Sequence, residues 1–192
     1  MKTLKLLAAL LSFAGFIFIG CKDNTQSPVN FTGQDRLKKA VINNFTMSDT
    51  INGITNEGEI RLTPGGIWQI KKYGFYEKIV SDDPKVNGAM VHYLSASFNA
   101  TTGEGPVQGS WTLTPTGDVG GGVWEGKYQG FRSRTEVPNV YTIPLKLEGH
   151  GRGGTIDGMQ FFSEVALTVY TDGETVLPTY WFGTGDGFYI SH

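Results

Sequence analysis

The sequence predicts an all-β protein, a single antiparallel β-barrel of about eight strands behind an N-terminal leader. Three observations carry this. From Glu59 onward, apolar and polar residues alternate with a period of two, as in strands with one buried and one solvated face. Clusters of turn-forming residues interrupt that alternation at short intervals. The 192 residues hold 27 Gly, 12 Phe, 8 Tyr and 4 Trp with only 18% charged side chains, a balance suited to short strands and tight turns around one core. The length fits one folded domain.

The leader comes first. Lys2 and Lys5 precede an apolar run from Leu6 to Ile19 broken only by Ser12 and Gly15, the layout of a secretory signal peptide over residues 1–20. As a helix that run reaches about 21 Å, short of the ~30 Å hydrocarbon core, so cleavage is expected in place of a permanent span. Its end, Phe18-Ile19-Gly20-Cys21, resembles the lipobox of bacterial lipoprotein precursors, with Phe18 standing where Leu is usual. The resemblance implies that Cys21, the one cysteine, carries fatty acyl chains, palmitate among them, and becomes the mature N-terminus. Each buried CH₂ contributes ~0.8 kcal/mol, so several chains hold where one is marginal. Loss of residues 1–20 removes two lysines and no acids, taking the formal charge from −2 to −4, so the anchor acts without polybasic help. Lys22 to Pro28 is polar, and residues 21–33 read as a lipidated tether. Cys21-Lys22-Asp23 also resembles the export signal of surface lipoproteins in Bacteroidetes-type bacteria. The expected location is the bacterial cell envelope, anchored at the outer membrane and facing the periplasm or the exterior.

Residues 34–192 form the domain. Leu37, Val41 and Phe45 recur every four positions within 34–47 and predict a short helix, with a strand from Ala40 to Met47 as the alternative. Strands follow near 58–63, 66–80, 88–99, 107–115, 122–133, 139–149, 155–171 and 178–190. Pro64-Gly65-Gly66, Asp82-Asp83-Pro84, Thr102-Gly103-Glu104-Gly105-Pro106, Pro115-Thr116-Gly117-Asp118 and Asp172-Gly173 supply the turns between them. Such short connections make neighbouring strands antiparallel, and closure of the sheet removes its exposed edges.

Alternation also assigns faces. Trp124, Gly126, Tyr128 and Gly130 share the inward face of one strand, and Phe161, Val165, Leu167 and Val169 that of another. His92 falls with Leu94, Ala96 and Phe98, an imidazole on an apolar surface. Glycine followed shortly by tryptophan at Trp68, Trp111 and Trp124 reads as a turn feeding a large aromatic into the core. Gly109-Ser110-Trp111, Gly122-Val123-Trp124-Glu125-Gly126 and Gly149-His150-Gly151-Arg152-Gly153-Gly154 with Asp157-Gly158 resemble a pattern in small secreted bacterial barrels related in shape to allene oxide cyclase. That resemblance implies an eight-stranded barrel and carries over no catalytic residue.

Several functions are disfavoured by what surrounds their motifs. The formal charge of −2 gives no basic footprint for nucleic acid. Gly149-x-Gly151-x-x-Gly154 spells a dinucleotide fingerprint, but a strand and not a helix is expected after it. Gly121 to Lys127 lacks the following Ser or Thr of a phosphate loop, since Tyr128 stands there. No nucleophile elbow exists, and the three histidines, His92, His150 and His192, have no metal-ligand spacing, so neither catalytic set, metal nor cofactor is expected. His150, with Glu148, Arg152 and Asp157 nearby, reads as a polar hairpin rim. The candidate pocket is His92, Trp124 and Tyr128 inside the barrel. The main functional reading is a non-catalytic, lipid-anchored envelope barrel, structural or binding a small apolar ligand or partner. The alternative is a cyclase- or isomerase-like enzyme in which His92, or the His150 group, moves a proton on an apolar substrate.

Overall fold

A computed structural model describes residues 39–192. Its strands are β1 (Val41–Asn56), β2 (Glu59–Leu62), β3 (Ile67–Ser81), β4 (Gly88–Asn99), β5 (Gly105–Pro115), β6 (Val123–Arg134), β7 (Val140–Arg152), β8 (Gln160–Thr171) and β9 (Pro178–Ser191). From β2 to β9 each strand pairs with the next, and β1 pairs with β9 on one side and β3 on the other. The result is the expected closed, eight-stranded antiparallel barrel with β2 as one extra strand.

β2 is in effect the far end of β1. Asn56 pairs with Gly74 and Glu59 with Lys71, so both run along one flank of β3. The break between them sits opposite a bulge at Lys72, whose φ is 53°, and it turns on Gly58 at φ 58°. A Cβ on Gly58 would lie 2.8 Å from the Tyr73 nitrogen, so only glycine fits. Asn56 Nδ2 donates to the Lys72 carbonyl at 2.8 Å and holds the bulge.

Two expectations are corrected. The helix expected over 34–47 is strand from Val41 onward, and residues 34–38 lie outside the described residues. Strand wins because Phe45 and Met47 then point into the core while the backbone of Val41 to Thr50 completes the free edge of β9. The strand expected from 155 begins only at Gln160. Residues 154–156 instead form a 3₁₀ turn that drives Ile156 into the end of the barrel, with Gly153, Gly154 and Gly158 at positive φ around it.

The inward faces are as the alternation predicts, for Trp124, Tyr128, His92, Phe161, Val165, Leu167 and Val169 are all buried. Glycines on that face make room for rings. A Cβ on Gly149 would stand 2.7 Å from the Trp111 ring, and one on Gly109 2.5 Å from the Tyr128 hydroxyl oxygen. Trp111 and Trp124 are core residues, whereas Trp68 is only half-buried.

The two barrel ends close differently. At one end Val86, Val119, Trp124 and Ile156 are buried beneath the connections 82–87, 116–122 and 153–159, and Trp124 Nε1 donates to the Lys85 carbonyl at 2.7 Å. At the other, the connections 100–104 and 172–177 are tied through the Arg132 side chain. Here the β1–β9 ladder stops at Thr50–Phe182, so Pro178 to Trp181 pair with β8 alone.

Candidate functional site

The half of the barrel nearer Arg132 holds a cavity of about 40 Å³, with Phe75, His92, Phe98, Tyr128, Arg132 and Trp181 among its walls. His92 and Tyr128 thus meet as the sequence suggests. Trp124 does not join them, because its indole is committed to the opposite end against Phe161, Tyr189 and the Lys85 carbonyl. Cys21 lies outside the described residues.

His92 projects inward from β4 between three rings. It stacks nearly parallel on Trp181 at 5.7 Å, meets Phe75 edge-on at 5.0 Å and lies 5.3 Å from Tyr128. Its Nδ1 is 2.8 Å from Glu77 Oε1, and Glu77 is wholly buried on β3. The contact engages Nδ1 and leaves His92 Nε2 to face other groups. Apart from this contact, neither oxygen of the Glu77 carboxyl has a hydrogen-bond partner.

A second buried acid extends the array. Asp49 on β1 pairs with Ile79, two residues along β3 from Glu77 on the same inward face. Burial first, and then the charge of Glu77, push its carboxyl well above the ordinary carboxylate range, with the Trp181 indole opposing weakly. Burial and the same Glu77 charge raise the Tyr128 phenol. The inner wall therefore carries a line of acid, acid and imidazole beside a phenol.

Arg132 stands at the other end of the cavity, 1% exposed. Its Nε donates to the Gly103 carbonyl and Nη1 to the Val176 carbonyl, both at 2.6 Å. The guanidinium carbon sits 3.5 Å from the centre of the Phe98 ring and 4.5 Å from that of Tyr141. Nη2 is buried without an acceptor. Burial lowers this group to about 10, which leaves it charged at neutral pH.

Alternation alone missed Asp49, Glu77 and Arg132, although each left a signal. Glu77 interrupts the inward series Tyr73, Phe75, Ile79, and Arg132 follows Trp124 and Tyr128 on theirs. His150 is exposed on the outer face, its Nε2 3.3 Å from Glu125 Oε1, which also meets Arg152 at 3.3 Å. This is the polar rim expected there, although Glu125 and not Glu148 is the acid. Among the described residues no three His, Cys, Asp or Glu side chains are placed to hold a metal ion.

Comparison with protein-family models, curated proteins and solved structures finds no match to this chain.

Proposed function

We propose that the protein is a lipid-anchored barrel of the bacterial cell envelope, tethered through Cys21, whose interior holds a small or slim ligand without transforming it. The observation that carries the binding role is the cavity, a mainly apolar space with His92 and Arg132 in its walls. Its volume of about 40 Å³ exceeds the ~10–15 Å³ that one water needs and falls well short of the ~300–1,000 Å³ of ordinary small-molecule sites. An occupant of a few heavy atoms, or the end of a slim chain, suits it. The anchor rests on the lipobox resemblance at Cys21 and on the signal-peptide layout before it.

The Glu77–His92 contact favours a second reading, because a base oriented through its other nitrogen is how general-base histidines are held. Against it stands the small space left beside Nε2 for a substrate.

Both parts of the proposal are testable. Native mass spectrometry of the mature protein from its own host should show acyl mass on Cys21 and a reproducible small adduct. Cys21→Ser should move the protein from the membrane to the soluble fraction. Retention in the membrane would defeat the anchor, and a wild-type protein free of adducts would defeat the binding role.

A further inference from the structure

An open strand edge presents backbone donors and acceptors in a row and invites another strand to pair with it. This barrel keeps such an edge. β9 follows β1 only as far as Thr50, so from Ile51 to Asn56 β1 pairs with β3 alone, and among the described strands β2 likewise pairs only with β3. All four β2 residues are exposed. The Thr63 N–H donates to the Ile67 carbonyl across the hairpin, so Thr63 directs its backbone groups toward β3. By alternation Arg61 and Glu59 do the same, and Ile60 and Leu62 turn theirs to the open side. The side chains alternate too. Ile60 and Leu62 stand opposite Ile70 and Trp68, which pack on the core, yet they are 38% and 51% exposed, while Glu59 and Arg61 share the other face.

Charge selects the occupant. Glu59 lies opposite Lys71 and Arg61 donates to the neutral Gln69 amide oxygen, and among the described residues neither Glu59 nor Arg61 is in an ion pair. When two β2 strands meet antiparallel about a two-fold axis, the register centred on Ile60 sets Glu59 of each copy against Arg61 of the other. In that register the two Ile60 residues exchange both backbone hydrogen bonds, since each has its donor and acceptor on the open side. Centring the axis on Glu59 or on Arg61 instead sets like charges opposite each other. We infer that β2 is the edge through which two copies of this chain pair, antiparallel and centred on Ile60, joining the sheet of one barrel to that of the other. The opposite charges exclude the neighbouring registers without blocking pairing itself, as a run of like charges would. β1 starts at Val41 and runs 16 residues to reach this edge, roughly 50 Å of strand, so pairing leaves the entry of the chain clear.

The test is sedimentation equilibrium of the intact mature protein in density-matched detergent over a range of concentrations. The wild type should approach the mass of two chains as concentration rises. Glu59→Arg and Arg61→Glu should each weaken pairing by about 10- to 100-fold, because two symmetric cross-strand contacts pass from attraction to repulsion. The double variant carrying both changes should pair again. Both side chains are exposed, so thermal unfolding of these variants should match the wild type. Ile60→Pro should also abolish pairing and keep the β2–β3 ladder, since the N–H it removes points to the open side. A single-chain mass at every concentration would overturn the inference and leave the edge to a strand of another protein. A two-chain mass that neither single reversal weakens would overturn it by placing the contact elsewhere. Weakening in both single variants with no recovery in the double would overturn the register centred on Ile60.

Discussion

Asp49→Asn should make the protein more stable at neutral pH. The side chain is buried on β1, and the groups facing it are Glu77 from β3, with His92 from β4 and Tyr128 from β6 beyond, and the Trp181 indole from β9. Burial and the charge of Glu77 raise the Asp49 carboxyl well above 3.8. The folded protein therefore binds this proton more tightly than the unfolded chain does. Between the unfolded and folded pKa the native state holds more protons, so wild-type stability falls as pH rises through that window and levels off above the folded value. Each unit of the elevation costs about 1.4 kcal/mol at the plateau. Asparagine carries no such cost, and its amide brings N–H donors beside the Glu77 carboxyl, whose one close polar contact is His92 Nδ1. Denaturant unfolding of both proteins from about pH 4 to pH 8 measures the difference. The gain should be near zero at the acid end and grow upward, reaching more than about 1.4 kcal/mol if the elevation exceeds one unit. A difference that is flat with pH would refute the assignment of the raised carboxyl to Asp49.

Three further outcomes follow from the packing. Trp124→Ala should cost about 3–5 kcal/mol in denaturant unfolding, since it empties a fully buried site and orphans the Lys85 carbonyl; a loss under 1 kcal/mol would show that this end is not sealed as described. Gly149→Ala should destabilise by about 1–3 kcal/mol, because the new Cβ meets the Trp111 ring at 2.7 Å with the Glu125 carbonyl also in contact, whereas Gly121→Ala meets no neighbouring atom and is limited by its positive φ. In hydrogen exchange, Arg132→Lys should raise the rate over 100–105 and 172–177 while 82–87 and 116–122 keep theirs; a uniform rise would mean that Arg132 supports the whole barrel and not one end.

The fold was largely legible because a closed meander asks little of long-range information. From β2 onward each strand pairs with its sequence neighbour, so the period of two and the turn residues specify the pairing almost locally, as at Pro64-Gly65-Gly66 between β2 and β3. Legibility failed where closure intervened. Val41 to Asn56 is a strand chiefly because β9 and β3 both need a partner there, and the four-residue spacing of Leu37, Val41 and Phe45 carries no knowledge of either. The turn at 154–156 is likewise set by the barrel end that Ile156 fills. Of the pocket, His92 and Tyr128 were readable from their apolar companions. Trp124 obeyed the same rule of facing inward, but facing inward does not say at which end, and its indole bonds the Lys85 carbonyl 39 residues away.

The three charged residues missed by alternation suggest how the interior is organised. An acid or an arginine on an inward position is usually eliminated because burial costs several kcal/mol per ion, so each one retained needs a compensating contact. Glu77 has His92, and Asp49 answers the cost through a raised pKa that favours its neutral form. Arg132 alone stays charged without a counter-ion among the described residues, and it lines the same cavity as His92. The acids gather on the His92 side and the cation stands at the other end, so the burial cost is met by side-chain partners and proton uptake on one side and by backbone carbonyls and ring faces on the other.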